Sequence, residues 1–413
     1  MKVLKTSLLL LLAFCILTGT VGCTFRYPTP VPSVTTEPTV DPVKAAYKED
    51  PAAFVVFSRS LSPREIYVPI SELLEYKSQL PYCNGTWFRD QLSGEDLIIY
   101  NSFLYAMENR FIYFSLYVED SDKDFSYIRE MVSLDSPFLE QNYSHYEYIW
   151  KQPINYIGKQ ISVSMEQFTD SRWEMKMEAF AKCRYIVWNI PEEYQTQQQK
   201  MEYLYDYVCD NVEYVEYESM ADESYFYDAV CKGQTLCDGY SNMLSILFRM
   251  IGVECCEVMG YNEEEESGHT WVVAKLNGEY YNFDPTFEDT DESDADQRKY
   301  FGFSDDLISC KNMDHDQLRP KCTETSRDFF YADMTVDTLT AWDDVRKITN
   351  FTEERLTSGE NTTLIGVRSL VEEDMFDLFF DRFFIYSAKS KEISTSYSLM
   401  RNSALIEVTL TPR

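Results

Sequence analysis

The sequence predicts an α+β protein. Three observations carry that expectation: apolar residues recur at helical spacing in separate stretches, short alternating runs lie between them, and the dipeptide Asn277-Gly278 joins two of those runs. A period of 3.6 marks helices and a period of 2 marks strands. An Asn-Gly turn makes the strands it joins antiparallel neighbours. Of 413 residues, 45% are hydrophobic and 15% aromatic, enough apolar surface to offset the entropy of ordering. The formal net charge is -32, from 37 Lys+Arg against 69 Asp+Glu. Such a chain repels a polyanion, which argues against nucleic acid as a partner.

The first residues read as an address. Lys2 and Lys5 precede a Leu-rich run from Ser7 to Leu17, and small residues follow up to Gly22. This is the pattern of a signal peptide over residues 1–22, too short for a comfortable membrane span. Thr20-Val21-Gly22-Cys23 resembles a bacterial lipobox, with Thr where Leu is usual. It implies that Cys23 is lipidated and becomes the new N-terminus. Residues 23–50 form a Pro/Thr-rich tether, with Pro28, Pro30, Pro32, Pro38 and Pro42 keeping it extended. The expected location is extracytoplasmic, anchored to a bacterial membrane through Cys23; plain secretion is the alternative.

Residues 51–195 read as a mixed α/β region. Helices are expected over Glu95 to Asn109, Asp124 to Leu134 and Trp173 to Ile190, and strands over Phe111 to Val118, Tyr146 to Trp150 and Gln160 to Met165. Gln197 to Val208 follows as a helix with Met201, Leu204, Tyr205 and Val208 on one face. Residues 323–413 read as a small α+β appendage: a strand over Thr362 to Leu370, a helix over Glu372 to Tyr386 and a terminal strand around Ala404 to Leu410. Beyond the export segment nine cysteines remain, with no CxxC pair, which argues against a zinc ribbon and for buried reduced thiols. The sequons at Asn84, Asn142, Asn350 and Asn361 would matter only in a eukaryotic secretory pathway.

Residues 196–322 hold the chemistry. Gly233-Gln234-Thr235-Leu236-Cys237-Asp238-Gly239-Tyr240-Ser241 leads into an apolar helical run closed by Gly252, so Cys237 falls at a helix start. A thiol there feels the positive end of the helix, which favours thiolate. Gly239 allows close packing behind it. His269 opens a strand that runs to Leu276 and turns at Asn277-Gly278 into Tyr280-Tyr281-Asn282-Phe283-Asp284. With Asn277 and Gly278 as the turn, Leu276 faces Glu279 and Asp284 opposes Trp271. Asp284 is then diagonal to His269, about 7–8 Å away at the backbone and on the same sheet face. An ordinary hairpin thus puts a carboxylate where it orients an imidazole. Cys237, His269 and Asp284 make a candidate triad of nucleophile, base and orienting acid.

Cys237-Asp238-Gly239-Tyr240-Ser241, Gly268-His269-Thr270-Trp271 and Tyr281-Asn282-Phe283-Asp284-Pro285-Thr286 resemble the transglutaminase-like superfamily over roughly residues 196–320. The resemblance implies a papain-like core, with the Cys on a helix and the His and Asp on adjacent strands, and a cell-surface thiol enzyme acting on peptide or carboxamide bonds through a thioester. Hydrolysis is favoured over amine transfer because no amine site is legible. A non-catalytic scaffold for peptide or wall polymer and an amine-incorporating cross-linker are the alternatives. The partner is a peptide or protein substrate, with cell-wall peptide as one case.

The remaining candidates read more plainly. His145 is structural or exposed; His315, in Asp314-His315-Asp316, reads first as part of a solvated loop, with closing the domain or binding a metal as the alternatives. Tyr240 and Trp271 line the cleft or fill the core. The acidic stretches Glu263 to Glu266 and Glu288 to Asp296 are read as solvated loops. The second lacks the Gly and terminal Glu of an EF-hand, so no metal or cofactor is called for. Both stretches flank the His-Asp hairpin, and their sign favours protonated His269 and a substrate that is neutral or cationic around the scissile amide.

Overall fold

The computed structural model describes residues 42–413 apart from 60–63, 81, 120–124, 141–142, 152–157, 168–169, 216–224, 263–266, 291–297, 310–312, 316–318, 330–331, 339–341, 359–361, 370–391, 401–402 and 412–413. The signal peptide, Cys23, most of the tether, the Glu263 to Glu266 stretch and the helix expected over Glu372 to Tyr386 lie outside the described residues. The end of the expected extended tether is instead a helix, Pro42–Glu49, with Pro42 at the first helical position that proline suits. The chain divides into two units, residues 1–45 and 46–413. All elements below belong to the second. Among the described residues no helix is long and apolar enough to cross a membrane.

The first sheet is built from β1 (Phe54–Ser58), β2 (Ile66–Pro69), β3 (Tyr113–Val118), β4 (Tyr143–Lys151) and β5 (Lys159–Gln167), in the order β2-β1-β3-β5-β4. Its pairs are all antiparallel. Helices α1 (Gly94–Glu108) and α2 (Phe125–Asp135) belong to the same region. Phe103 of α1 meets Phe114 of β3 edge-on at 5.0 Å, and Phe57 of β1 adds a tilted contact at 5.8 Å. These rings are fully buried. Each expected helix and strand of this region occurs, with ends shifted by a few residues.

Helix α3 (Asp170–Trp188) leads to α4 (Gln197–Asn211). A capping box starts α4: the Gln199 N–H donates to Thr196 Oγ1, and Gln199 Oε1 accepts from the Thr196 N–H. Next comes a short parallel pair, β6 (Glu213–Tyr214) with β7 (Gln234–Thr235). Gly233, at φ 72°, turns the chain into β7, where a Cβ would stand 2.7 Å from the Asn211 carbonyl oxygen. Helix α5 (Cys237–Met250) follows and ends at Gly252, φ 78°. Its Tyr240, Met243, Leu244, Leu247 and Phe248 are buried.

The central sheet has the order β11-β10-β9-β8-β12, from β8 (Cys255–Asn262), β9 (Ser267–Leu276), β10 (Glu279–Phe283), β11 (Phe301–Phe303) and β12 (Met313–His315). Asn277 and Gly278 both take positive φ, 54° and 98°, the geometry of a type I′ hairpin. The register runs from Leu276↔Glu279 to Val272↔Phe283, as counted from the sequence. Helix α6 (Pro285–Thr290) follows β10 directly. Phe248 of α5 meets Phe283 of β10 edge-on at 5.4 Å. His315, expected in a solvated loop, instead pairs with Gly260 in edge strand β12. His145 lies in β4, opposite Glu166.

A third sheet, β13-β14-β16-β15, comprises β13 (Met334–Thr338), β14 (Thr362–Ser369), β15 (Glu392–Met400) and β16 (Ser403–Thr411), with α7 (Trp342–Ser358) between its first two strands in sequence. β13 and β14 run parallel. Eight cysteines are described, and all are free thiols. Burial pushes Cys83 up to about 12 and Cys255 to about 11, and raises Cys183, Cys209, Cys256 and Cys322 further.

Candidate active site

Cys237 is the first residue of α5 and is partly exposed. Leu236 before it is extended, and no side chain caps the helix start. The Gly239 and Tyr240 N–H groups donate to the Leu236 carbonyl at 3.0 and 3.3 Å; those of Cys237 and Asp238 precede any intrahelical acceptor, so the end of α5 offers donors and positive potential to an anion on sulfur. Gly239 is required by proximity: its Cβ would stand 2.0 Å from Thr235 Oγ1 and 2.7 Å from Thr235 Cβ. Thr235 is fully buried in β7 and cannot swing away.

Two hydrogen bonds strap this first turn to β9. The Thr270 hydroxyl donates to Asp238 Oδ1 at 2.7 Å, and the Ser241 hydroxyl donates to the Thr270 carbonyl at 2.8 Å. Thr270 adjoins His269, so the strap sets how far the imidazole sits from the sulfur.

His269 Nε2 lies 2.7 Å from Asp284 Oδ2. The Cys237 sulfur is near enough to act on the charge of the ring. With Nε2 given to Asp284, Nδ1 is the nitrogen left for sulfur. The imidazole is only 8% exposed. It stacks on Phe287 at 4.3 Å and 13°, and lies near-parallel to Trp271 at 5.9 Å. Burial pulls its pKa down, but the charge and hydrogen bond of Asp284, with the Cys237 sulfur, raise it from 6.5 to about 10. The imidazolium is therefore the resting form at neutral pH.

Asp284 reaches this position differently from the expected strand continuation. β10 stops at Phe283, and the Asp284 N–H donates to the Tyr300 carbonyl at 2.9 Å. Its Oδ1 accepts the Phe287 N–H at 3.1 Å, so the carboxylate closes the first turn of α6. Pro285 is the cause: it has no N–H for a ladder and suits the first helical position. One oxygen of Asp284 serves the helix and the other serves His269.

Behind it, the Tyr205 hydroxyl lies 3.0 Å from the Asp284 carbonyl oxygen and 3.1 Å from Glu288 Oε2. Glu288 also accepts the N–H groups of Lys299 and Tyr300, and burial raises its pKa. Asp289 accepts from the Tyr240 hydroxyl and the Tyr214 N–H. These two acids were expected in a solvated loop. They instead point inward, because α6 extends into that stretch as far as Thr290 and carries both; residues 291–297 lie outside the described residues. Tyr240 and Trp271 are fully buried and fill the core, with Trp271 Nε1 donating to Asn282 Oδ1. The sequence reading missed Phe287, Tyr205 and Glu288. An Asp-Pro helix start was the available signal for Phe287, since it puts the third residue of the turn against the carboxylate.

Residues 185–285 match the transglutaminase-like superfamily model, a span that contains Cys237, His269 and Asp284. Residues 185–285 therefore carry a transglutaminase-like domain. The match begins in the last turn of α3. No curated protein matches the sequence. Among solved structures the chain is similar to a candidate cysteine protease from Cytophaga hutchinsonii, at 12% identity over 35% of this chain and 65% of that one, TM-score 0.22. It is also similar to a TGase, at 14% identity over 42% and 50%, TM-score 0.24. A third is the periplasmic domain of TgpA from Pseudomonas aeruginosa, at 14% identity over 31% and 55%, TM-score 0.22. The chain thus spans between half and two thirds of the length of these proteins.

Proposed function

We propose that the domain is a thiol amidase or peptidase, with Cys237 as nucleophile, His269 as acid and base, and Asp284 as orienting carboxylate. The observation that carries this reading is a single imidazole hydrogen-bonded to Asp284 at 2.7 Å on Nε2 and partnered by the helix-start thiol of Cys237. The thiolate attacks the carbonyl carbon, forming a C–S bond as the carbonyl electrons move to oxygen. The helix-start N–H groups stabilise that oxyanion. Collapse breaks the C–N bond, and the imidazolium gives its proton to the leaving amine. Neutral His269 then takes a proton from water, the hydroxide attacks the thioester, and the acid leaves as thiolate and imidazolium are restored. Asp284 keeps the ring in the productive tautomer throughout.

Iodoacetamide tests the nucleophile. One fast alkylation is expected in the folded chain, because the other described thiols are buried or carry raised pKa values; it should disappear in Cys237→Ala together with hydrolysis of peptide amides. Equal labelling of wild type and Cys237→Ala would sink the assignment. The same reading places the protein on the outer face of a bacterial membrane, held by lipidated Cys23. Support comes from the Thr20 to Cys23 motif and the Pro-rich stretch after it. Cys23→Ser should move the protein from the membrane to the soluble fraction; unchanged membrane retention rejects the anchor.

A further inference from the structure

At the far end of α5, twelve residues from Cys237 and so about 18 Å along the helix, lies a cavity of about 570 Å³. Segment 82–91 forms one wall, and Arg249 with residues 252–255 forms the other. Arg249 is 7% exposed. Its Nη1 makes one long bond, 3.4 Å, to the Cys83 carbonyl oxygen, while Nε and Nη2 have no hydrogen-bond partner. Both neighbouring carboxylates are engaged by other donors, although Asp135 Oδ1 borders the same space beside Gly85 as Nη2, 3.1 Å from where a Cβ would stand. Asp135 accepts from the Phe88 and Arg89 N–H groups and the Tyr100 hydroxyl, and Glu257 accepts from Asn242 and Ser245. Gly85 leaves the space beside the guanidinium open, since a Cβ there would stand 3.2 Å from Nη2. On the same lining, Asn84 Oδ1 is buried without a partner, while its Nδ2 is held by Glu108.

We propose that this cavity binds a peptide through its free C-terminal carboxylate. Nε and Nη2 are the parallel donors of a guanidinium's side-on fork, which matches the two oxygens of a carboxylate. Asn84 Oδ1 is an acceptor beside them, suited to the N–H of the terminal amide. Trp87, edge-on to Tyr280 at 5.3 Å, supplies an apolar wall for the terminal side chain. Buried polar groups are normally satisfied, and one ligand satisfies all three here. A phosphate dianion fits less well, because Asp90 and Glu254 also line the cavity and Arg249 is the one cation among its described lining residues. The site does not depend on whether Cys237 turns over.

Calorimetry on the full chain carrying Cys237→Ala tests this with N-acetylphenylalanine and an acetylated pentapeptide ending in phenylalanine, each against its C-terminal amide, and with inorganic phosphate. Both acids should bind, and each amide should bind at least about tenfold more weakly. Arg249→Gln should abolish the preference for acid. Should that buried replacement not fold, Thr86→Glu, on the exposed rim, should weaken both acids severalfold and leave the amides unchanged. The proposal is overturned by equal binding of acid and amide, by no binding of the pentapeptide acid, by tighter binding of phosphate, or by indifference of the acids to Thr86→Glu.

Discussion

At His269 two effects compete, and the outcome determines the pH profile. Burial favours the neutral ring and Asp284 favours the cation; the carboxylate wins and the pKa rises to about 10. Hydrolysis should therefore persist into alkaline solution and fall only as His269 loses its proton near that value. Asp284→Asn removes the charge, so the alkaline limb should move down by at least about one unit and kcat/KM should fall roughly a hundredfold or more. An unmoved limb in that variant would show that Asp284 does not set the ring's charge. Stability follows the same sign. A raised His269 pKa stabilises the fold fully below 6.5, and that contribution is lost as pH rises through about 10. Glu257 acts alike: burial raises it from 4.5 to about 8, so its contribution is lost over that interval. Glu257→Gln, which keeps the shape without the charge, should raise Tm at pH 9 relative to wild type and change it little at pH 4. None of this was legible at Glu257, because an acidic residue in a strand reads as solvent-facing until α5 is seen to cover it.

At the scale of elements, the hairpin was countable because Asn277-Gly278 leaves one register. Each pair from Leu276↔Glu279 to Val272↔Phe283 follows from the turn. The count fails at Asp284, where the chain changes from strand to helix. Periodicity cannot see that change, but Pro285 could have announced it. The placement of Cys237 relative to His269 was less legible, since it depends on contacts between elements distant in sequence: Thr270 with Asp238, Thr270 with Ser241, and Gly239 against Thr235. Gly239→Ala should destabilise the fold by about 1–3 kcal/mol through overpacking against a buried side chain and should slow alkylation of Cys237 by displacing the first turn. Asp238→Ala should leave the helix formed but loosen the strap. Its expected signature is a lower kcat with a circular-dichroism spectrum like that of wild type; an unaltered kcat would mean that Ser241 alone holds the register.

For the whole molecule, a formal charge of -32 overstates the field at the site. Burial raises Glu257 to about 8, so this acid drops out of the count at neutral pH, and lifts Asp135 and Asp328 to about 6. The remaining excess still has one sign, and removal of Lys2 and Lys5 with a signal peptide would deepen it. A negative field attracts cationic peptides and repels acidic ones at distances up to a Debye length, about 10 Å at 0.1 M salt. In a panel of peptides with a common scissile amide and flanking charges from negative to positive, kcat/KM at low salt should therefore rise with positive charge. The difference should reside mainly in KM and shrink by about 0.5 M salt, since screening removes steering while leaving the chemistry at Cys237 intact. If acidic peptides were the better substrates at low salt, local contacts rather than the molecular field would govern selection, and the Arg249 cavity would be the first place to look for them.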